Sequence, residues 1–384
     1  MRAYIYSAII AFGLFSIVNT EFGVIGTFIQ ITEKYQISAS QTGMLVSLFA
    51  LSIAIFGPFM TLLFSGFNKK RIMASVLGLF AIANLLSAAA PNFSVLLIVR
   101  ILPAFLHPVY FSLAFVAAAS FFPSGQKSKA TAYVFTGGTV GMVLGVPFTS
   151  FIADQFSLEA SFLFSAALNL IALIGLLIWV PSMPVTAKLS YRQQLGVLAK
   201  PQLWLNIATV CLTISAMFAV FSYFAEYLGQ ITKMSGKLIS TMLILFGASG
   251  VLGNLEAGRL LSKHVVKTTL LYPAVLAVTY LIVFWGGSYF IPMMIIVVVW
   301  GFIHTGGFII NQNWLASEAS EAPEFANSLF VSFSNLGIAI GTASGGQFLL
   351  HMGTHQIIWG GLMFLALAVT LMLAKIKWYG IRSI

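Results

Sequence analysis

Gln30-Ile31-Thr32 ends one long apolar run, and Gln230-Ile231-Thr232 ends another 200 residues later. Two more stretches recur at almost the same distance. Phe105-Leu106-His107-Pro108-Val109-Tyr110-Phe111 is matched by Phe302-Ile303-His304-Thr305-Gly306-Gly307-Phe308 at an offset of 197. Gly137, Gly141 and Gly145 are matched by Gly337, Gly341 and Gly345 at an offset of 200. One such match in so apolar a chain is within reach of chance; three at nearly one offset indicate a duplicated unit. A six-plus-six parallel repeat about an axis along the membrane normal is a transporter architecture, with the substrate held between the halves near mid-membrane.

Composition points the same way. Of 384 residues, 59% are hydrophobic and 7% are Asp, Glu, Lys or Arg, against about 25% charged in soluble domains. A soluble enzyme, a secreted disulfide scaffold and a disordered chain are excluded. Runs that stay apolar for about twenty residues also disfavour a β-barrel, whose strands alternate. The single Cys211 lies inside an apolar run, so neither an internal disulfide nor a thiolate metal site is available. The apolar stretch from Met1–Arg2 to about Phe28 is too long for a signal-peptide core and reads as an uncleaved first span.

Charge, Pro and Gly clusters break the chain into an all-α bundle of twelve transmembrane spans. They run roughly over 4–29, 40–66, 72–90, 94–121, 130–153, 160–180, 203–229, 237–262, 268–288, 290–316, 326–350 and 356–376. Residues 1–181 form a first six-helix half, 182–202 a cytoplasmic linker and 203–384 a second half. With the N-terminus inside, 15 Lys and Arg residues, from Arg2 to Arg382, fall on the cytoplasmic side. Lys34, Lys233 and Lys237 fall outside, and Arg100 lies within a span. That split follows the positive-inside rule, so the net charge of +10 is a topology signal and not a nucleic-acid footprint.

Thr20-Glu21-Phe22 in span 1, Gly57-Pro58 leading to Asn68-Lys69-Lys70-Arg71, and Arg100 opening a span-4 motif form a recognisable series. Gly141-x3-Gly145-Val146-Pro147 in span 5 and Gly258-Arg259-Leu260 in the second half complete it. At these residues the chain resembles the major facilitator superfamily, within it the bacterial twelve-span efflux branch of drug, sugar and purine exporters. The resemblance implies two six-helix halves and proton-coupled export across the bacterial cytoplasmic membrane, with both termini inside.

Glu21 is the leading functional candidate, because a carboxylate this deep in a span is costly and marks a functional site by default. A structural hydrogen bond or ion pair locking spans 1 and 4 is the competing reading. Arg100 sits at a similar estimated depth and is expected to pair with Glu21, the competing reading being a structural Arg that caps loop carbonyls or pairs elsewhere. His107, seven residues on, shares the helical face of Arg100; His304 is its repeat counterpart, and both are read either as packing residues or as cavity groups. Trp300, His304, Phe308 and Asn311 recur at helical spacing in span 10. Such an aromatic and polar stripe fits either a pocket for a drug-sized ligand or plain packing. Glu226 is a further acidic candidate, with an interfacial reading favoured. The glycine ladders are structural, offering a flat face on which the halves would rock.

The expected activity is export of small, partly apolar molecules (drug, sugar or purine nucleoside) by proton antiport with alternating access. An uncoupled facilitator or importer of the same fold is the alternative. An intramembrane enzyme is a remote one, since no paired catalytic spacing supports it. No phosphate-binding loop is present to couple ATP. Expected partners are the substrate, protons and the lipid bilayer, with no nucleic acid, cofactor or metal, and the chain is expected to be monomeric.

Overall fold

The computed structural model describes residues 2–64, 66–123, 127–184, 196–319 and 323–380. Among these are twelve helices long and apolar enough to cross a membrane. The first six are α1 (Arg2–Tyr35), α2 (Ala39–Gly57), α3 (Lys69–Ala88), α4 (Phe93–Ala118), α5 (Thr136–Gln155) and α6 (Leu158–Trp179). The second six are α7 (Pro201–Gln230), α8 (Gly236–Leu261), α9 (Lys263–Gly286), α10 (Phe290–Ala319), α11 (Leu329–Met352) and α12 (Thr354–Tyr379). No strand forms among the described residues. Of the expected linker, residues 185–195 lie outside them, as do Lys188, Arg192 and Arg382.

Helix starts are set by short polar side chains that accept orphan backbone N–H groups. Asn68 accepts from the Arg71 amide, Asn92 from Val95 and Ser157 from Ala160, at 3.0–3.3 Å. The Asn68-Lys69-Lys70-Arg71 segment therefore caps α3, and it also ties α3 to the end of α6. Asn68 Nδ2 donates to Ser182 Oγ at 2.8 Å and Lys70 Nζ to the Leu177 carbonyl at 2.9 Å. Between α8 and α9 the helix runs on from Gly236 to Gly286, interrupted only by a kink at His264 (φ −143°, ψ 59°).

Contacts group Met1–Gln36 with Ile55–Leu189 in one compact unit, and Ile37–Ala54 with Ser190–Ile384 in another. The units thus differ from a cut at mid-chain: most of α2 is grouped with the second six helices.

The repeat reappears as packing. In the first unit α5 lies on α1, where a Cβ at Gly137 would strike the Ala11 carbonyl and one at Gly141 the Phe15 carbonyl. A Cβ at Gly145 would stand 3.0 Å from Asn19 Cα. In the second unit α11 lies on α7, and Gly337, Gly341 and Gly345 meet the carbonyls of Cys211, Ser215 and Ala219 in the same way. Only glycine permits backbones this close. The ladders join helices inside each unit, which corrects the expectation of a rocking surface on those faces. Pro147 is accommodated inside α5. Gly57 and Pro58 lie within the longer helix Ala39–Phe64 that contains α2, and the Pro58 side chain is outside those described.

Candidate functional site

Both helices that carry the acidic candidate and its neighbours are broken at the relevant level. α1 passes from α-helix to a 3₁₀ turn at Val24–Thr27, directly after Thr20-Glu21-Phe22-Gly23. α4 is interrupted at Phe105–Leu106, between Pro103 and Pro108, so that His107 opens a new helical segment. Proline inside a helix removes a backbone hydrogen bond and disturbs the turn before it.

Glu21, Arg100 and His107 come together there. Glu21 is 6% exposed, Arg100 4% and His107 1%. His107 Nε2 lies 2.9 Å from Glu21 Oε2, at ion-pair distance without the alignment of a straight hydrogen bond. The expected direct pair of Glu21 with Arg100 does not form. Arg100 Nη2 instead donates to the carbonyl of Thr20 at 2.7 Å, while its charge still acts on the neighbouring carboxylate. Arg100 and His107 thus both reach the level of Glu21 from α4, one at the Thr20 carbonyl and the other at the carboxylate. Aromatic rings close the imidazole in: Phe111 at 4.8 Å between centroids and Phe80 at 6.3 Å.

Thr20 is the hub that sequence reasoning missed. Its hydroxyl accepts from Asn84 Nδ2 on α3 at 3.0 Å and from Asn169 Nδ2 on α6 at 3.1 Å. The same hydroxyl donates to the Ser16 carbonyl at 3.1 Å. Asn84 and Asn169 stand in apolar runs, and intramembrane amides are the signal that was available.

The second unit has the histidine without the acid. His304 on α10 is 3% exposed and sits among rings of Phe221 (4.8 Å), Phe246 (5.4 Å), Phe218 (6.1 Å), Phe308 (6.2 Å) and Trp300 (6.4 Å). Trp300 packs edge-on against Phe224, Phe246 and Tyr280. Asn311 returns its amide to the Gly307 carbonyl at 2.8 Å. The span-10 stripe is therefore part of an aromatic cluster. Glu226 is buried on α7 and accepts from Gln230 Nε2, whose Oε1 takes the Thr354 hydroxyl at 2.5 Å. Arg259 lies on an exposed face and pairs with Glu256 at 3.2 Å.

One buried ion pair had no counterpart in the sequence expectations. Lys375 on α12, one of the 15 Lys and Arg residues counted on the cytoplasmic side, is buried and meets Glu318 at 2.7 Å. Its ammonium also stands 4.3 Å from the Trp314 ring, and Lys200 donates to the Glu318 carbonyl at 2.9 Å.

A bundle of twelve apolar helices, built as two repeats and carrying a buried acid–base pair, matches one family model. The Major Facilitator Superfamily model covers residues 10–342. The chain belongs to the major facilitator superfamily. Among its relatives in this superfamily is the inner membrane transport protein YdhP of Escherichia coli strain K12, 31% identical over 88% of this chain and 87% of that one. The MFS-type transporter YtbD of Bacillus subtilis strain 168 is 28% identical over 92% and 91%. Solved structures of the same fold include the nucleoside transporter NupG, with TM-score 0.76 and 15% identity over 98% of this chain and 99% of that one. A bacterial homolog of the human lysosomal transporter Spinster, inward-facing and occupied, has TM-score 0.78 and 14% identity over 98% and 97%. As a superfamily member the chain is a membrane transporter of small molecules and not an intramembrane enzyme.

Proposed function

We propose that this superfamily member exports small, partly apolar molecules in exchange for protons, by alternating access. It acts as a monomer in a bacterial cytoplasmic membrane with both termini inside. The observation that carries the reading is the Glu21–His107 contact, 2.9 Å long and withdrawn from solvent among apolar helices. A deep intramembrane carboxylate facing an imidazole is a place for a proton, since imidazole titrates nearest to physiological pH of all side chains.

Charge bookkeeping supports coupling. Arg100 and Glu21 cancel, so a proton arriving at the pair changes the buried cluster from neutral to plus one. In a low-dielectric interior a unit of charge weighs far more than in water. The proton-loaded and proton-free forms therefore favour different access states, and a ligand shifts an equilibrium only through such differential affinity. A substrate that binds better to the unprotonated form is driven out as protons come in.

Drugs, sugars and purine nucleosides form the candidate substrate panel, and a solved nucleoside transporter of the same fold keeps nucleosides in it. The test is purified protein in liposomes with an imposed pH gradient and a pH-sensitive dye inside. A member of the panel is expected to move uphill only with the gradient and to carry a matching proton flux. Downhill movement with no proton flux would replace antiport by facilitation.

A further inference from the structure

The two repeats provide an internal comparison for the residues around Glu21. The glycine ladders pair Ala11 with Cys211, Phe15 with Ser215 and Asn19 with Ala219, each 200 residues apart. By that register Ser16, Asn19, Thr20 and Glu21 on α1 correspond to Ala216, Ala219, Val220 and Phe221 on α7. All four residues on α7 are buried and apolar. The four α7 side chains carry none of these polar groups, and the tie from α9 is instead Tyr280 Oη donating to the Ala216 carbonyl at 3.0 Å.

On α1 those polar groups are closely tied together. The Thr20 hydroxyl is saturated: both amides donate to its oxygen, and its own hydrogen goes to the Ser16 carbonyl. The Thr20 backbone carbonyl takes Arg100. Asn169 also accepts from Ser16 Oγ at 3.2 Å, and Asn19 Nδ2 donates to Ser165 Oγ at 3.0 Å. Burying polar groups costs free energy unless each is bonded, and this chain does so beside the acid while leaving the equivalent α7 positions apolar.

We propose that Asn84 and Asn169 are positioning residues for the proton-carrying pair. By locking Thr20 from α3 and α6, they fix the α1 backbone at the level where Glu21 meets His107. This rests on Glu21 as a proton carrier. On α7 the corresponding place is taken by the buried, apolar Val220, which faces no such pair.

The experiment measures proton uptake by the detergent-solubilised full chain between pH 8 and 5, with an indicator dye and no substrate. Glu21→Gln is expected to lose about one proton of uptake. Thr20→Val and Asn169→Ala are expected to keep that proton but take it up at a pH at least half a unit lower. A proton held on an imidazole facing a carboxylate is held less tightly once the two groups no longer face each other. Thr20→Ser, which keeps the hydroxyl, and Ser215→Ala, in the other repeat, are expected to titrate as the wild type. Wild-type titration of Thr20→Val and Asn169→Ala would overturn the proposal. So would failure of Thr20→Val to fold beside a folded Thr20→Ser, which would make the cluster structural. Full proton uptake by Glu21→Gln would remove the underlying reading, and the proposal with it.

Discussion

His107 and His304 occupy corresponding places in the two repeats, yet only His107 faces a carboxylate. Glu21 lies 2.9 Å from His107, whereas His304 meets the Phe221 ring at 4.8 Å between centroids, and Phe221 is the residue 200 positions after Glu21. One duplicated frame therefore holds an acid–base pair in one unit and an aromatic cluster in the other.

That asymmetry separates the two histidines by experiment. His107→Asn is expected to lower gradient-driven export in liposomes at least tenfold, with little change in the amount of folded protein. His304→Asn is expected to leave the proton-to-substrate ratio unchanged while altering the apparent affinity for substrate. Loss of proton flux in His304→Asn with retention in His107→Asn would reverse the assignment.

Arg100 gives a second test. Its guanidinium satisfies the Thr20 carbonyl at 2.7 Å from a buried position. Arg100→Leu leaves that acceptor without its partner, and an unsatisfied buried acceptor costs about 1–3 kcal/mol. Lower thermal stability in detergent is expected, together with weaker transport. Arg100→Lys is expected to recover only part of each, because a point-like ammonium does not reproduce the guanidinium fork.

Glycine substitutions test the packing of the units. A side chain at Gly341 would collide with the Ser215 carbonyl, and one at Gly141 with that of Phe15. Overpacking of this kind typically costs about 1–3 kcal/mol, and a clash with backbone leaves little room for relief. Gly341→Val and Gly141→Val are expected to give poor yields of monodisperse protein, read by size-exclusion fluorescence. Wild-type yield and thermal midpoint for both would contradict the ladder contacts.

The Lys375–Glu318 pair predicts a charge-swap rescue. Removing one partner of a buried ion pair costs about 3–5 kcal/mol because the other charge is left uncompensated. Glu318→Gln is expected to lower the melting temperature by several degrees, and Glu318→Lys with Lys375→Glu to restore much of it. Equal melting of the wild type and Glu318→Gln would show that the pair contributes little.

The fold was legible in the chain because its cues are periodic and local. Span lengths, glycines every fourth residue and the 200-residue offset each need only counting, and all three recur in the packing of α5 on α1 and of α11 on α7. Glu21 was legible for the same reason, as a lone carboxylate in an apolar run. Its partner was not. Arg100 and His107 are both basic, both on α4 and seven residues apart, so helical periodicity puts them on one face and does not choose between them. The Thr20 hub draws on residues 64 and 149 positions away, and Lys375 finds Glu318 across 57 positions. Such meetings follow from how the helices pack.

Proton release on substrate binding tests the central claim most directly. The compound selected by the liposome panel is added to detergent-solubilised protein in weak buffer, and the pH is followed with a dye between pH 5 and 9. Export coupled through Glu21 and His107 predicts release of protons on binding and an apparent affinity that weakens as pH falls. Both effects are predicted to be absent from Glu21→Gln. Binding that is independent of pH and releases no proton in the wild type, or release that persists unchanged in Glu21→Gln, would contradict it.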